Sequence, residues 1–285
     1  MEYLSFYDHL AEQWPTSSES RIVDTTFGQT FIRIQGPLDG APLALLPGDT
    51  ETSLSWLPVI EPFSQSFRTY AIDHIYDNGR SIYTRVMSRP KDFVDWLGDT
   101  FDELGIDRLN LVGYSYGGWQ AALYSLAHPG RVARLVLLAP SSTVLSPDPI
   151  MFARAILYYF LPYRFVAGNY FRWYGPDAMK EDRTRSRIDE MVEEDLLARR
   201  CFKPRTFVPP TRLTDANWGE LRVPTLFLVG ENDRTYCAQR AVDRLHRVAP
   251  AVEAKVAPNT DHYILLVSPD WVVRNTLSFL KESGR

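Results

Sequence analysis

The sequence predicts an α/β protein: a doubly wound, mostly parallel eight-stranded sheet with an early antiparallel strand and a helical insertion. Three observations predict it. Short, almost wholly apolar runs recur along the chain, as expected of strands covered on both faces. Segments with apolar residues at helical spacing lie between them. The alternation stops between Ser141 and Asp215 and resumes at Val223.

Taken in order, Ile22 to Ile34 alternates around Gly28 and reads as an antiparallel hairpin. Leu43 to Leu46, Thr69 to Ile72, Leu109 to Val112, Leu135 to Leu138 and Thr225 to Val229 are the central parallel strands, and Ala254 to Ala257 is the last. Helices are expected over Leu54 to Phe63, Lys91 to Leu104 after Pro90, Trp119 to Ala127, Ala238 to Val248 and Tyr263 to Leu280. Right-handed crossovers between such strands place the functional crevice at their carboxyl ends. Residues 141–215, with aromatics, prolines and a charged helix-like stretch from Lys180 to Arg200, form an insertion after the sixth strand; residues 1–140 and 216–285 form the core.

At 285 residues the chain buries roughly three quarters of its unfolded surface as one mixed unit. With 45% hydrophobic and 23% charged residues and a formal charge of -4, disorder and a nucleic-acid-binding face are excluded, and partners are expected to be small molecules. Cys201 and Cys237 show no metal spacing and read as unpaired thiols of a reducing, cytoplasmic compartment. The residues from Met1 to Leu10 lack the continuous apolar block of a signal peptide, so the mature chain is expected to start near Met1. The apolar stretch Ile150 to Tyr174 is broken by Arg154, Pro162, Arg164, Gly168 and Arg172, against a membrane span. No metal or organic cofactor is expected.

The chemistry concentrates in Gly113-Tyr114-Ser115-Tyr116-Gly117-Gly118, between a strand and a helix. This is the pattern of a nucleophile elbow: a turn tight enough that side chains two positions either side of the serine would collide, hence the glycines. Ser115 is pushed out in a strained conformation, with a helix N-terminus behind it that favours negative charge. A serine hydroxyl needs a base, and the base an orienting group. Of the five histidines, His9, His128 and His246 sit in helical or terminal segments. His74, after the strand ending at Asp73, is an alternative base placed where it could line the crevice, whereas His262 follows the last strand and opens the final helix, with Asn259-Thr260-Asp261 as its capping group. Asp233 lies past the strand ending at Val229, with Glu231 as the competing acid; the order Ser115, Asp233, His262 suits a serine-acid-histidine triad. Oxyanion donors, each worth roughly 3 kcal/mol, are expected from the backbone N–H of Tyr116 and of Asp49 in Pro47-Gly48-Asp49.

With the elbow, Pro47-Gly48 and downstream Trp56, Gly79-Arg80-Ser81, Gly230-Glu231-Asn232-Asp233 and Asp261-His262, the chain resembles the α/β-hydrolase superfamily from about Gly36 to Leu280, apart from the insertion. It departs from it in Pro47-Gly48, where most relatives carry His-Gly, and in Asn259-Thr260-Asp261-His262, where many carry Gly-x-Gly-His. The serine at the elbow separates it from dehalogenases and epoxide hydrolases, which use aspartate, and Tyr114 separates it from carbon-carbon bond hydrolases, which often carry asparagine there.

The resemblance implies a capped serine hydrolase of the carboxylesterase type, cleaving a carboxylic ester of a small, largely apolar substrate. The insertion would be the cap, and its aromatics, including Phe152, Tyr158, Phe160, Tyr163, Phe165, Tyr170, Phe171 and Tyr174, would suit an acyl or aryl pocket. Arg154, Arg164 and Arg172 are either partners for a substrate carboxylate or solvated. Carbon-carbon hydrolysis, a cofactor-free perhydrolase or haloperoxidase activity, and a receptor-like ligand-binding role are the alternatives, since this superfold hosts many chemistries.

Overall fold

An amphipathic helix, α1 (Glu2–Ala11), opens the structure, with Tyr3, Tyr7 and Leu10 on its buried side. The computed structural model describes residues 2–15, 17–203 and 207–282, so Met1, where the mature chain was expected to start, lies outside the described residues. The hairpin follows as β1 (Glu19–Thr25) and β2 (Gly28–Gln35), then β3 (Pro42–Leu46), β4 (Arg68–Ile72), β5 (Ile82–Tyr83), β6 (Leu109–Tyr114), β7 (Val132–Leu138), β8 (Thr225–Gly230) and β9 (Glu253–Ala257). Their order is β1-β2-β4-β3-β6-β7-β8-β9, with β5 beside β2. The strands from β4 through β9 along that path are parallel, and β2 is antiparallel to β1, β4 and β5. The ninth strand, β5, is a two-residue pairing too short to leave a pattern in the sequence.

Although the central strands are apolar throughout, their side chains divide by parity. Ala44, Leu46, Leu111, Leu135, Leu137, Phe227 and Val229 join one core with Trp96, Trp119 and Trp218. Leu43, Leu45, Val112, Val136, Leu138, Leu226 and Leu228 join the opposite core with Tyr7, Trp56, Phe63 and Val272. Each face is covered by helices: α3 (Pro90–Glu103), α4 (Tyr116–Ala127) and α9 (Ala238–Val248) carry residues of the first core, and α1, α2 (Ile60–Ser64) and α11 (Pro269–Lys281) those of the second.

Two expected helices are interrupted where proline intervenes. Leu54 to Phe63 resolves into a 3-10 turn (Ser53–Trp56) and α2, with Pro58, which offers no N–H to continue the ladder, between them. Tyr263 to Leu280 divides into α10 (Ile264–Val267) and α11, which starts at Pro269. Between β7 and β8 lie α5 (Pro149–Phe160), α6 (Arg164–Tyr174), α7 (Asp182–Cys201) and α8 (Asp215–Glu220), with residues 204–206 outside the described set. The first three share their own apolar cluster around Tyr158, Phe171 and Ile188. The two chain crossings into this segment are tied together: Leu213 N–H donates to Thr143 O at 3.0 Å, and the buried Arg244 guanidinium reaches the carbonyls of both Val144 and Leu213.

Candidate active site

Ser115 stands between the end of β6 and the first residue of α4 with φ 50° and ψ -114°, a left-handed conformation that costs a non-glycine residue of order 1–3 kcal/mol. The surrounding glycines make that turn possible. A Cβ on Gly113 would meet Gly117 O at 2.3 Å, and one on Gly117 would meet Pro47 O at 2.4 Å. Gly117 N–H donates to Pro47 O at 3.0 Å, fastening the elbow to the loop after β3 that carries Asp49. Tyr116 and Asp49 are thereby brought to one end of the sheet. Burial pushes up the acid groups of Tyr170 and Asp195 on the inserted helices, and the Asp49 charge adds to that shift.

His262 lies in the loop after β9, 2% exposed, with Nε2 at 2.9 Å from Ser115 Oγ and Nδ1 at 2.9 Å from Asp233 Oδ2. A carboxylate facing Nδ1 keeps the proton there, which leaves Nε2 as the acceptor for the Ser115 hydroxyl. Asp233 is itself held, its Oδ1 accepting Thr235 N–H at 2.7 Å. The three side chains come from loops at the carboxyl ends of β6, β8 and β9, where the topology opens a crevice. Their approach depends on Gly230, since a Cβ there would lie 2.3 Å from Thr260 O and 2.4 Å from Asp261 O, pushing the acid loop off the histidine loop.

The competing residues are elsewhere. Glu231 is exposed and accepts Asn259 N–H at 2.8 Å. His74 does not line the crevice: it is 1% exposed, packed among Phe93, Trp96 and Tyr116, with Nδ1 accepting Tyr76 N–H. Its Nε2 lies against the side-chain amide of Gln120. Asp233→Asn should therefore lower kcat by about 10⁴-fold through the wrong histidine tautomer, whereas Glu231→Gln should stay within about twofold, as steady-state ester hydrolysis would measure.

The contacts of five residues were not legible in the sequence. Ser141 Oγ lies 2.9 Å from Ser115 Oγ, and Ser141 N–H donates to Ser115 O. Thr235 Oγ1 stands 3.1 Å from His262 Nδ1, and Tyr114 OH donates to His262 O. The Tyr174 ring covers the imidazole with centroids 4.4 Å apart, and its hydroxyl meets Thr235 Oγ1. Asp261 does not cap the final helix. Its Oδ2 instead accepts the N–H groups of Asp177 and Ala178 at 2.7 and 2.8 Å, while Oδ1 accepts Tyr263 N–H, so a helix cap is replaced by a link to the α6–α7 turn. Each of these partners is distant in sequence or lacks a motif, which is why only the fold brings it in.

The inserted aromatics divide. Tyr158, Phe171 and Tyr174 are buried, while Phe152, Phe160, Tyr163 and Phe165 are exposed. Arg154 bonds Asn169, Arg164 pairs with Glu193 and Arg172 with Asp189, so none is held for a substrate carboxylate. Cys201 and Cys237 are free and exposed. Among the described residues no helix is long and apolar enough to cross a membrane.

Residues 43–275 match the model of the alpha/beta hydrolase family. The chain belongs to this family. Carboxylesterase YbfK of Bacillus subtilis (strain 168) is 31% identical over 98% of this chain and 94% of its own. The uncharacterized carboxylesterase nap of the same organism is 29% identical over 100% and 94%. Among solved structures, carboxylesterase CesB (YbfK) from Bacillus subtilis superposes with a TM-score of 0.90 at 31% identity, covering 99% of this chain and 98% of that one. The naproxen esterase (carboxylesterase NP) from Bacillus subtilis follows at 0.88 and 28%, covering 98% and 97%. A meta-cleavage product hydrolase from Pseudomonas fluorescens IP01, at 0.74 and 19%, shares the fold alone.

Proposed function

We propose that the chain is a serine hydrolase that cleaves a carboxylic ester of a small, largely apolar substrate through an acyl-enzyme. The observation that carries this reading is the unbroken hydrogen-bonded path from Ser115 Oγ through His262 to Asp233. As the Ser115 oxygen attacks the ester carbonyl, His262 Nε2 takes its proton and returns it to the departing alkoxide. Asp233 holds the imidazole and stabilises the imidazolium. The N–H groups of Asp49 and Tyr116 receive the charge of the tetrahedral oxygen, aided by the N-terminus of α4. Water then repeats the sequence on the acyl-serine, with His262 as its base.

Residues 141–215 act as the cap: Tyr174 covers His262, and the α6–α7 turn closes on its loop. Two free thiols fit a reducing cytoplasm. A fluorophosphonate probe should add one phosphonyl group to Ser115, located by peptide mass spectrometry, and abolish hydrolysis of a short-chain aryl ester. Hydrolysis that persists in fully labelled protein would overturn the reading.

A further inference from the structure

Beside the triad, but lined by neither Ser115 nor His262, lies a cavity of about 750 Å³ between α7, the loop after β3 and the start of α11. That volume suits a small organic ligand. Three aromatic residues line it, Tyr114, Phe171 and Tyr263, and aromatic faces attract cations. Its ionisable lining is acidic: Glu51, Glu181, Glu190, Glu194 and Asp270 stand against Arg183 and Arg187. Part of this charge is already matched. Arg187 pairs with Glu190 and Glu194, and Glu194 also accepts Tyr3 OH. Glu51 differs, since its Oε2 is enclosed and meets no hydrogen-bond partner among the described residues. A buried acceptor left without a partner costs about 1–3 kcal/mol, so a donor entering the cavity has a defined place to go.

We propose that this cavity binds a small organic cation, its ammonium group set among Tyr114, Phe171 and Tyr263 and matched by the Glu51 carboxylate. The site is independent of acyl transfer and adds a ligand to the protein. Glu51 also faces His262 from the β9–α10 loop, Arg187 and Glu194 from α7, Tyr114 from β6 and Tyr263. Burial pushes its carboxyl up to about 7, against the lowering pull of His262 and Arg187. Cation binding therefore strengthens as pH rises through that value and the carboxylate forms. Removing the Glu51 charge tests whether that rise belongs to this carboxylate.

The probes are choline and its neutral isostere 3,3-dimethylbutan-1-ol, titrated calorimetrically into the Ser115→Ala protein at fixed ionic strength. Choline should bind about tenfold more tightly than the alcohol at pH 8, and its affinity should rise about tenfold between pH 6 and 8. Glu51→Gln in the same background should remove most of that rise and bring choline towards the alcohol. Equal affinity for the two probes, binding of neither, or a full pH dependence retained in Glu51→Gln would overturn the proposal. Should Glu51→Gln fail to fold, the comparison of the two probes at the two pH values still decides it. Because Ser115 is absent from every arm, these outcomes are separate from the fate of the hydrolase reading.

Discussion

Ser115→Ala is expected to lower kcat for a short-chain aryl ester by about 10⁴- to 10⁶-fold while shifting the denaturant midpoint little. Removing Oγ deletes the atom that His262 Nε2 meets at 2.9 Å, so the remaining pair has nothing to activate. Members of a triad act as a unit, and Asp233 and His262 then contribute almost nothing on their own. The neighbouring hydroxyl of Ser141 does not take over, because its contact is with Ser115 Oγ itself and its own oxygen has no histidine against it. What persists comes from the oxyanion donors and from binding. The fold should tolerate the change, since the φ of 50° is imposed by the turn and bears on serine and alanine alike. Kinetics and a urea melt on the same preparation check both halves. Turnover within tenfold of wild type would remove the acyl-enzyme mechanism.

How much of this was legible in the sequence follows from how local each feature is. The elbow was readable because its spacing answers to a contact inside one turn, Gly113 against Gly117. The central strands were readable because burial on both faces leaves unbroken apolar runs. Asp233 and His262 could be placed from chain order, each following a strand by a few residues. Features that depend on distant partners left no trace. Helix α1 anchors itself through Tyr7 OH, which donates to Asp73 at 3.0 Å. Asp73 in turn accepts the backbone N–H groups of Ser53 and Arg80, bracing the loop after β3. Tyr7 has no motif, and only the tertiary structure sets it beside Asp73. The reading of His74 as an alternative base failed for the same reason, since burial among three rings is a property of the packing. The aromatics of the insertion were read as one group, but a helix shows one face to its neighbours, which separates buried Tyr158 from exposed Phe160.

Asp261→Ala is expected to cost stability and activity together, and the contacts of one carboxylate explain why. Its two oxygens accept three backbone N–H groups, Asp177 and Ala178 from the α6–α7 turn and Tyr263 from the loop that carries His262. All of these groups are buried, so alanine leaves three donors without acceptors, at about 1–3 kcal/mol each before any relaxation. A net loss of about 3 kcal/mol in the urea midpoint analysis is the expected size. The catalytic effect follows from what the same turn supports. Just before it, Tyr174 lies tilted over His262 and meets Thr235 Oγ1, while Gly175 lies so close to the Tyr263 ring that a Cβ there would approach it within 2.3 Å. Release of Asp177 and Ala178 lets this surface withdraw from the imidazole, and a displacement of about 1 Å at a reacting group is enough to cost about 10²-fold in rate. The loss should fall mainly on kcat, because the imidazole is displaced relative to Ser115 while the proposed oxyanion donors, Asp49 and Tyr116, stay on the β3 loop and α4. Asp261→Asn should lie between the two, as its amide retains one acceptor oxygen for one side of the link. If Asp261→Ala loses stability but turns over at the wild-type rate under native conditions, the carboxylate fastens the insertion without positioning His262.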